Sequence, residues 1–395
     1  MKMEKVGVLF VSLLLVLAVA SVSAAEINPN DWAHPEAMAT LDEVKNAIGN
    51  ANYVIIDASK HKPEKTVKGA IWISVASVRQ ASGLLKGIKG YPSDPAKDFD
   101  PSELQKIFRQ LGVSKDKTVI VVSRKPVWDA SVVWTALYFL GFDNVKLLPV
   151  SYVALGDEYL APVEKEWSPD LPETGDFTVD KSKIRFEIYA TREKILDAID
   201  NDKVGIMDCR PESWYKGEIA KSVRGGHLKG AKDFPAENFW ANSDQTELKS
   251  KAEIESMVKE LFPNVDTILT TCNTGHRATV GYFVWQLGYN WLYDDASWNI
   301  HAYEGDMPAE DIHVLFSYKD YASLKDKVSK LSAEVEELKS QNQELQEKIS
   351  NIESEISSLK ASAGAAAQKK GTCGPTAIAA IALLIPGALY ALRRK

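Results

Sequence analysis

A stretch of domain length occurs twice in this 395-residue chain, and that repeat constrains the fold more than any single motif. Val204-Gly205-Ile206-Met207-Asp208 answers Val54-Ile55-Ile56-Asp57, and Leu228-Lys229-Gly230-Ala231 answers Val67-Lys68-Gly69-Ala70. Farther on, Val284-Trp285-Gln286-Leu287-Gly288-Tyr289 answers Leu137-Tyr138-Phe139-Leu140-Gly141-Phe142. A repeat of this size predicts two like domains in tandem, over 38–165 and 183–317. Within the first copy, strand-like Tyr53–Asp57 and Thr118–Val122 alternate with helix-like Pro101–Leu111 and Ala130–Leu140. Such alternation predicts α/β domains, each a mostly parallel sheet with helices on both faces.

The copies diverge after their central strand. In the second, Thr267–Thr271 reads as a strand and Ala278–Leu287 as a helix closed by Gly288. Between them lies Cys272-Asn273-Thr274-Gly275-His276-Arg277. A cysteine at a strand-to-helix turn meets converging backbone N–H groups and a helix N-terminus, which together stabilise a thiolate. Gly275 lets the loop curl with its amides inward. Arg277 adds fixed positive charge, and Asn273 and Thr274 contribute mainly backbone N–H groups. The first copy instead reads Ser123-Arg124-Lys125-Pro126-Val127-Trp128-Asp129-Ala130. A serine hydroxyl supplies no thiolate, Pro126 removes an N–H, and no arginine opens the helix. The first copy therefore reads as a structural partner.

The Cys-x-x-Gly-x-Arg loop in this context resembles that of the rhodanese (sulfurtransferase) family, and the repeat resembles its tandem arrangement. Four residues separate Cys272 from Arg277, where related phosphatases and arsenate reductases place five. The resemblance implies that Cys272 accepts sulfane sulfur from an anionic donor such as thiosulfate. It then holds a persulfide in the loop and passes the sulfur to a thiol or to cyanide. It implies no metal or organic cofactor, and assigns Arg210, in Asp208-Cys209-Arg210, to substrate binding; a structural ion pair with Asp208 or Glu212 is the alternative. His276 stands at a variable loop position, tuning donor choice or facing solvent. Cys209 reads as a packed core cysteine, with a second thiol in a relay as the other option. A carrier that binds persulfide sulfur and delivers it to a membrane partner, without turnover, is the competing function.

Bulk properties narrow the field. A formal net charge of −7 argues against a nucleic-acid surface. Three dispersed cysteines without Cys-x-x-Cys suggest neither a zinc site nor a disulfide framework. The six histidines lack ligand spacing.

The ends of the chain have other characters. Residues 1–25 read as a signal peptide, with Lys2 and Lys5 ahead of an apolar core and small residues at Val22–Ala25. From 321 to 360 a heptad pattern sets Leu324, Leu331, Leu338, Leu345, Ile352 and Leu359 at d. Val328, Val335, Asn342, Ile349 and Ile356 stand at a. β-branched a with mainly Leu d predicts a parallel homodimeric coiled coil, about 60 Å long. A small-residue linker over 361–372 precedes Cys373-Gly374-Pro375, an apolar run and Arg393-Arg394-Lys395. This ending, 373–395, resembles the Cys-Gly-Pro sorting signal of archaeal surface proteins. That resemblance makes Cys373 a processing and lipid-attachment site; an ordinary C-terminal membrane anchor is the alternative. Both readings hold the protein at the outer face of the cell membrane.

Overall fold

The structure, a computed structural model, describes residues 27–81, 99–312 and 318–369. The signal-peptide reading, Cys373 and the sorting segment lie outside them.

In the first domain the strands are β1 (Tyr53–Asp57), β2 (Lys65–Val67), β3 (Ile71–Trp72), β4 (Thr118–Val122), β5 (Val145–Leu147), β6 (Leu160–Pro162) and β7 (Lys165–Glu166). Five of them form a parallel sheet in the order β5-β4-β1-β3-β7. The second domain contains β8 (Val204–Asp208), β9 (His227–Leu228), β10 (Lys232–Asp233), β11 (Thr267–Thr271), β12 (Asn290–Tyr293) and β13 (Ala309–Glu310). Four of these form a parallel sheet in the order β10-β8-β11-β12. Antiparallel pairs β2–β6 and β9–β13 sit beside the two sheets. The runs Thr-Val-Ile-Val-Val and Thr-Ile-Leu-Thr-Thr are buried from their second residue on, as expected for strands covered on both faces.

The repeat is exact in register. Asp57 pairs with Val122 in the first sheet and Asp208 with Thr271 in the second. Ser123 and Cys272 therefore occupy equivalent strand ends. Gly69 and Gly230 repeat as well, both at φ +78°, a conformation that favours glycine.

The domains share one core. Helix Trp128–Phe139 is buried at every residue except Tyr138, because it packs on its own sheet on one side and on the second domain on the other. Trp134 meets Tyr282 edge-on at 4.7 Å between ring centroids. The N-terminal strap joins the same seam: Ala33 N–H donates to the Gln286 carbonyl, and His34 stacks on Trp285 at 3.6 Å.

Two local differences from the sequence reading bear on function. The segment after Cys272 begins as a 3-10 turn, Arg277–Val280, followed by an α-helix of only six residues, Gly281–Gln286. Its macrodipole is correspondingly small. At the other end, helix Tyr318–Lys369 continues through Ala361–Lys369, part of the stretch read as a linker. Alanine, the best helix former, is abundant there. Along this helix Leu324, Val328, Leu331, Val335, Leu338, Leu345, Ile349, Ile352 and Leu359 are exposed. Among the described residues no helix is long and apolar enough to cross a membrane.

Candidate active site

Cys272 caps β11 and is 2% exposed. Its loop is held from below by one hydroxyl. Ser297 Oγ accepts the N–H of Cys272 at 3.1 Å and that of Gly275 at 3.0 Å. It lies 2.7 Å from the Asp294 carbonyl, to which it donates, and 3.8 Å from Cys272 Sγ. Ser297 takes φ +53°, left-handed and costly for a non-glycine residue. The sequence reading had these amides converge on sulfur. Two of them converge on Ser297 Oγ instead, which itself faces the sulfur.

Asp294 enforces that arrangement. Fully buried, its carboxylate accepts Ser297 N–H at 2.8 Å and Thr271 Oγ1 at 2.7 Å, with His301 Nε2 at 2.8 Å. Burial pushes its pKa up to about 7, against the opposing pull of the Thr271 and Ser297 hydrogen bonds. Burial also lowers the pKa of His301.

Gly275 is required where it stands. Its φ is +74°, and a Cβ there would come within 2.6 Å of the Asp295 carbonyl oxygen and 2.9 Å of the Tyr293 hydroxyl. That hydroxyl donates to the Gly275 carbonyl at 3.0 Å.

The first domain completes the loop. His276 Nε2 lies 2.7 Å from Asp129 Oδ1, and the fully buried Asp129 also accepts Lys60 N–H at 2.8 Å. Burial lowers the His276 pKa and Asp129 works against it. Arg79, from helix Val75–Ala81, donates to the Thr274 carbonyl. The Arg277 guanidinium lies between Trp128 at 5.3 Å and Trp214 at 5.5 Å, one ring from each domain. It pairs loosely with Glu237, at 3.9 Å. In front of His276 and Arg277 opens a cleft of ≈ 500 Å³ whose far wall carries Lys60, Arg124, Lys125 and Trp128. The cleft is predominantly cationic.

The sequence left Arg210 between substrate binding and an ion pair with Asp208 or Glu212, and the structure has the Asp208 pair. Arg210 is 2% exposed, and its guanidinium makes hydrogen bonds of 2.6–3.0 Å with both oxygens of Asp208 and one of 2.8 Å with the Gly226 carbonyl. These bonds tie the guanidinium to Asp208 and Gly226. The Trp298 ring packs between Arg210 and Arg224, 2% exposed, and its backbone N–H donates to the Cys272 carbonyl at 3.0 Å. Sequence reading assigned Ser297 no role. It missed Asp294, Asp129 and Arg79, which stand far from the loop in sequence. Among the described residues no cluster of three or more His, Cys, Asp or Glu side chains is placed to hold a metal ion.

The rhodanese-like domain model matches residues 40–158 and 191–309. The chain belongs to the rhodanese-like family. Its two rhodanese-like domains are similar to the thiosulfate sulfurtransferase of Azotobacter vinelandii, at 25% identity over 60% of this chain and 88% of that protein. The sulfur carrier protein TtuD of Thermus thermophilus is 29% identical over 52% of this chain and 75% of its own length. Among solved structures, the anaerobic ergothioneine biosynthesis enzyme of Chlorobium limicola shares the fold. It has a TM-score of 0.55 and 14% identity, over 72% of this chain and 71% of that one. The protein is thus a sulfurtransferase of the rhodanese type.

Proposed function

We propose that this rhodanese-type sulfurtransferase works outside the cytoplasm, moving sulfane sulfur from thiosulfate or a related anion to a thiol or cyanide. The observation that carries the reading is Cys272 at a strand end, its loop fixed by Ser297 and closed by Arg277 on a cationic cleft. The Cys272 thiolate attacks the sulfane sulfur, the donor S–S bond breaks, and sulfite leaves with the bonding pair. Arg277 offsets the charge of donor and persulfide. The acceptor then attacks the outer sulfur, and Cys272 departs as thiolate. Lys60, Arg124 and Lys125 draw the anion into the cleft. Steady-state thiocyanate formation from thiosulfate and cyanide tests this: turnover is expected from the wild type and none from Cys272→Ser. Wild-type protein without turnover would refute the enzyme reading.

A second reading, a persulfide carrier for a membrane partner, is supported by the near-complete burial of Cys272 and by the likeness to a sulfur carrier protein. It predicts that Cys272 takes up sulfur but yields it slowly to small acceptors. In both readings the exposed a and d side chains of Tyr318–Lys369 pair two chains in parallel. The signal peptide exports the chain and the C-terminus holds it at the cell surface, with Cys373 the processed residue. Deleting 321–360 should give a monomer in sedimentation. A surviving dimer would put the interface elsewhere, and membrane fractionation checks the anchoring.

A further inference from the structure

Cys209 is the buried nucleophile that the transfer cycle leaves unused, and the sheet sets it beside Cys272. Register pairs Asp208 with Thr271, and Cys209 N–H continues the ladder to the Thr271 carbonyl at 2.8 Å. The two cysteines are thus the next residues on adjacent parallel strands. Neighbouring strands run about 4.8 Å apart, within the Cα separation that a disulfide bridges. Both side chains project to the same face of the sheet. Met207, Cys209, Ile268 and Cys272 join one apolar cluster with Phe234 and Phe239, while Ile206 and Leu269 belong to the cluster on the opposite face. Cys209 is fully buried and Cys272 nearly so. In the first domain the equivalent pair is Ala58 and Ser123, joined by the same ladder bond, Ala58 N–H to the Val122 carbonyl at 2.9 Å. The thiol pair is confined to the domain with sulfur chemistry.

We propose that Cys209 is a resolving thiol that, when no acceptor arrives, converts the Cys272 persulfide into an internal disulfide and releases sulfide. This rests on the persulfide reading above. The Cys209 sulfur attacks Cys272 Sγ. The Cys209–Cys272 S–S bond forms, the bond from Cys272 Sγ to the outer sulfur breaks, and that sulfur leaves with the bonding pair and the thiol proton as hydrogen sulfide. Two cysteine sulfurs are oxidised to the disulfide and the sulfane sulfur is reduced, so no outside oxidant enters. A small dithiol resets the site. Burial, with the nearby Cys272 charge second, raises the Cys209 pKa well above the usual thiol range. Internal attack is therefore slow, and an external acceptor wins whenever one is present.

The test charges the full chain with thiosulfate alone and follows intact mass, trapped sulfide and non-reducing peptide maps over time, for wild type and Cys209→Ala. Ala58 at the equivalent strand end shows that alanine suits the position. In the wild type, chains heavier by one sulfur atom should give way to chains two hydrogens lighter than the reduced form. One sulfide per chain and a Cys209–Cys272 cross-linked peptide should accompany the change. Cys209→Ala should keep its added sulfur at least about tenfold longer, without sulfide. Equal lifetimes in the two proteins, or a cross-link made to Cys373 instead, would overturn the inference and leave the persulfide intact. Absence of any sulfur adduct in both would overturn the persulfide reading and this inference together. The wild-type peptide map decides the question even if the variant folds poorly.

Discussion

The two strand-end loops share register and differ in what occupies them. In the first domain the loop is shut. Ser123 is fully buried and donates to the Pro126 carbonyl at 3.2 Å, and Arg124 N–H goes to Ser59 Oγ at 2.9 Å. The second domain sends Gln245 into it, whose Oε1 accepts Val127 N–H at 2.7 Å. In the second domain the loop curls around Cys272, and the first domain sends Asp129 and Arg79 to brace it from outside. Each domain thus reaches into the other's loop, closing one and fastening the other. The domain with serine at its strand end braces the loop of the domain with cysteine there.

That contrast can be broken most severely at the nucleophile. Cys272→Ser should lower thiocyanate formation at least about a thousandfold. Adding Ser123→Cys to that variant should restore nothing, since the first loop is filled by Gln245 and has no arginine at the start of its helix. Recovered turnover would mean the loops are interchangeable. Next, Gly275→Ala meets the Asp295 carbonyl at 2.6 Å at positive φ. It should cost about 1–3 kcal/mol of stability and most of the activity, read by thermal melts and kcat/KM.

Asp129→Asn tests the reach of the first domain into the second. Losing a hydrogen bond to a charged group is worth about 1.5–3 kcal/mol, so kcat/KM should fall about tenfold or more. Asp129 raises the His276 pKa against burial, so NMR should find the His276 titration moved to lower pH. An unmoved titration would mean the pair has no electrostatic role.

Asp294 gives a pH signature. Its folded pKa, about 7, lies above the ordinary 3.8. The stability it contributes is complete below the unfolded value and is lost as pH rises through about 7. Asp294→Asn should remove that slope from the melting temperature between roughly pH 4 and 8. The smallest effect is expected from Ser123→Ala, with turnover within about twofold of wild type.

Much of this was legible in the chain. Strands Tyr53–Asp57, Thr118–Val122 and Thr267–Thr271 appear where their β-branched runs put them, and the alternation of strands with helices predicted the parallel sheets. The Cys272 loop was recognisable because its residues are contiguous. Its supports were not, since Ser297, Asp294, Asp129 and Arg79 reach the loop only through sheet and domain packing. Arg210 misled for a related reason. Its three-residue motif names the arginine, but only the tertiary structure shows that Asp208 and Gly226 engage its guanidinium. That Cys209 and Cys272 stand side by side likewise depends on the register between β8 and β11.

The most direct test of the central claim is to locate the transferred sulfur. Full-length protein is charged with thiosulfate, quenched, and peptide-mapped before and after cyanide. The account predicts one added sulfur per chain, on the peptide containing Cys272, removed by cyanide as thiocyanate. Sulfur found on another cysteine, or none on Cys272, would contradict it.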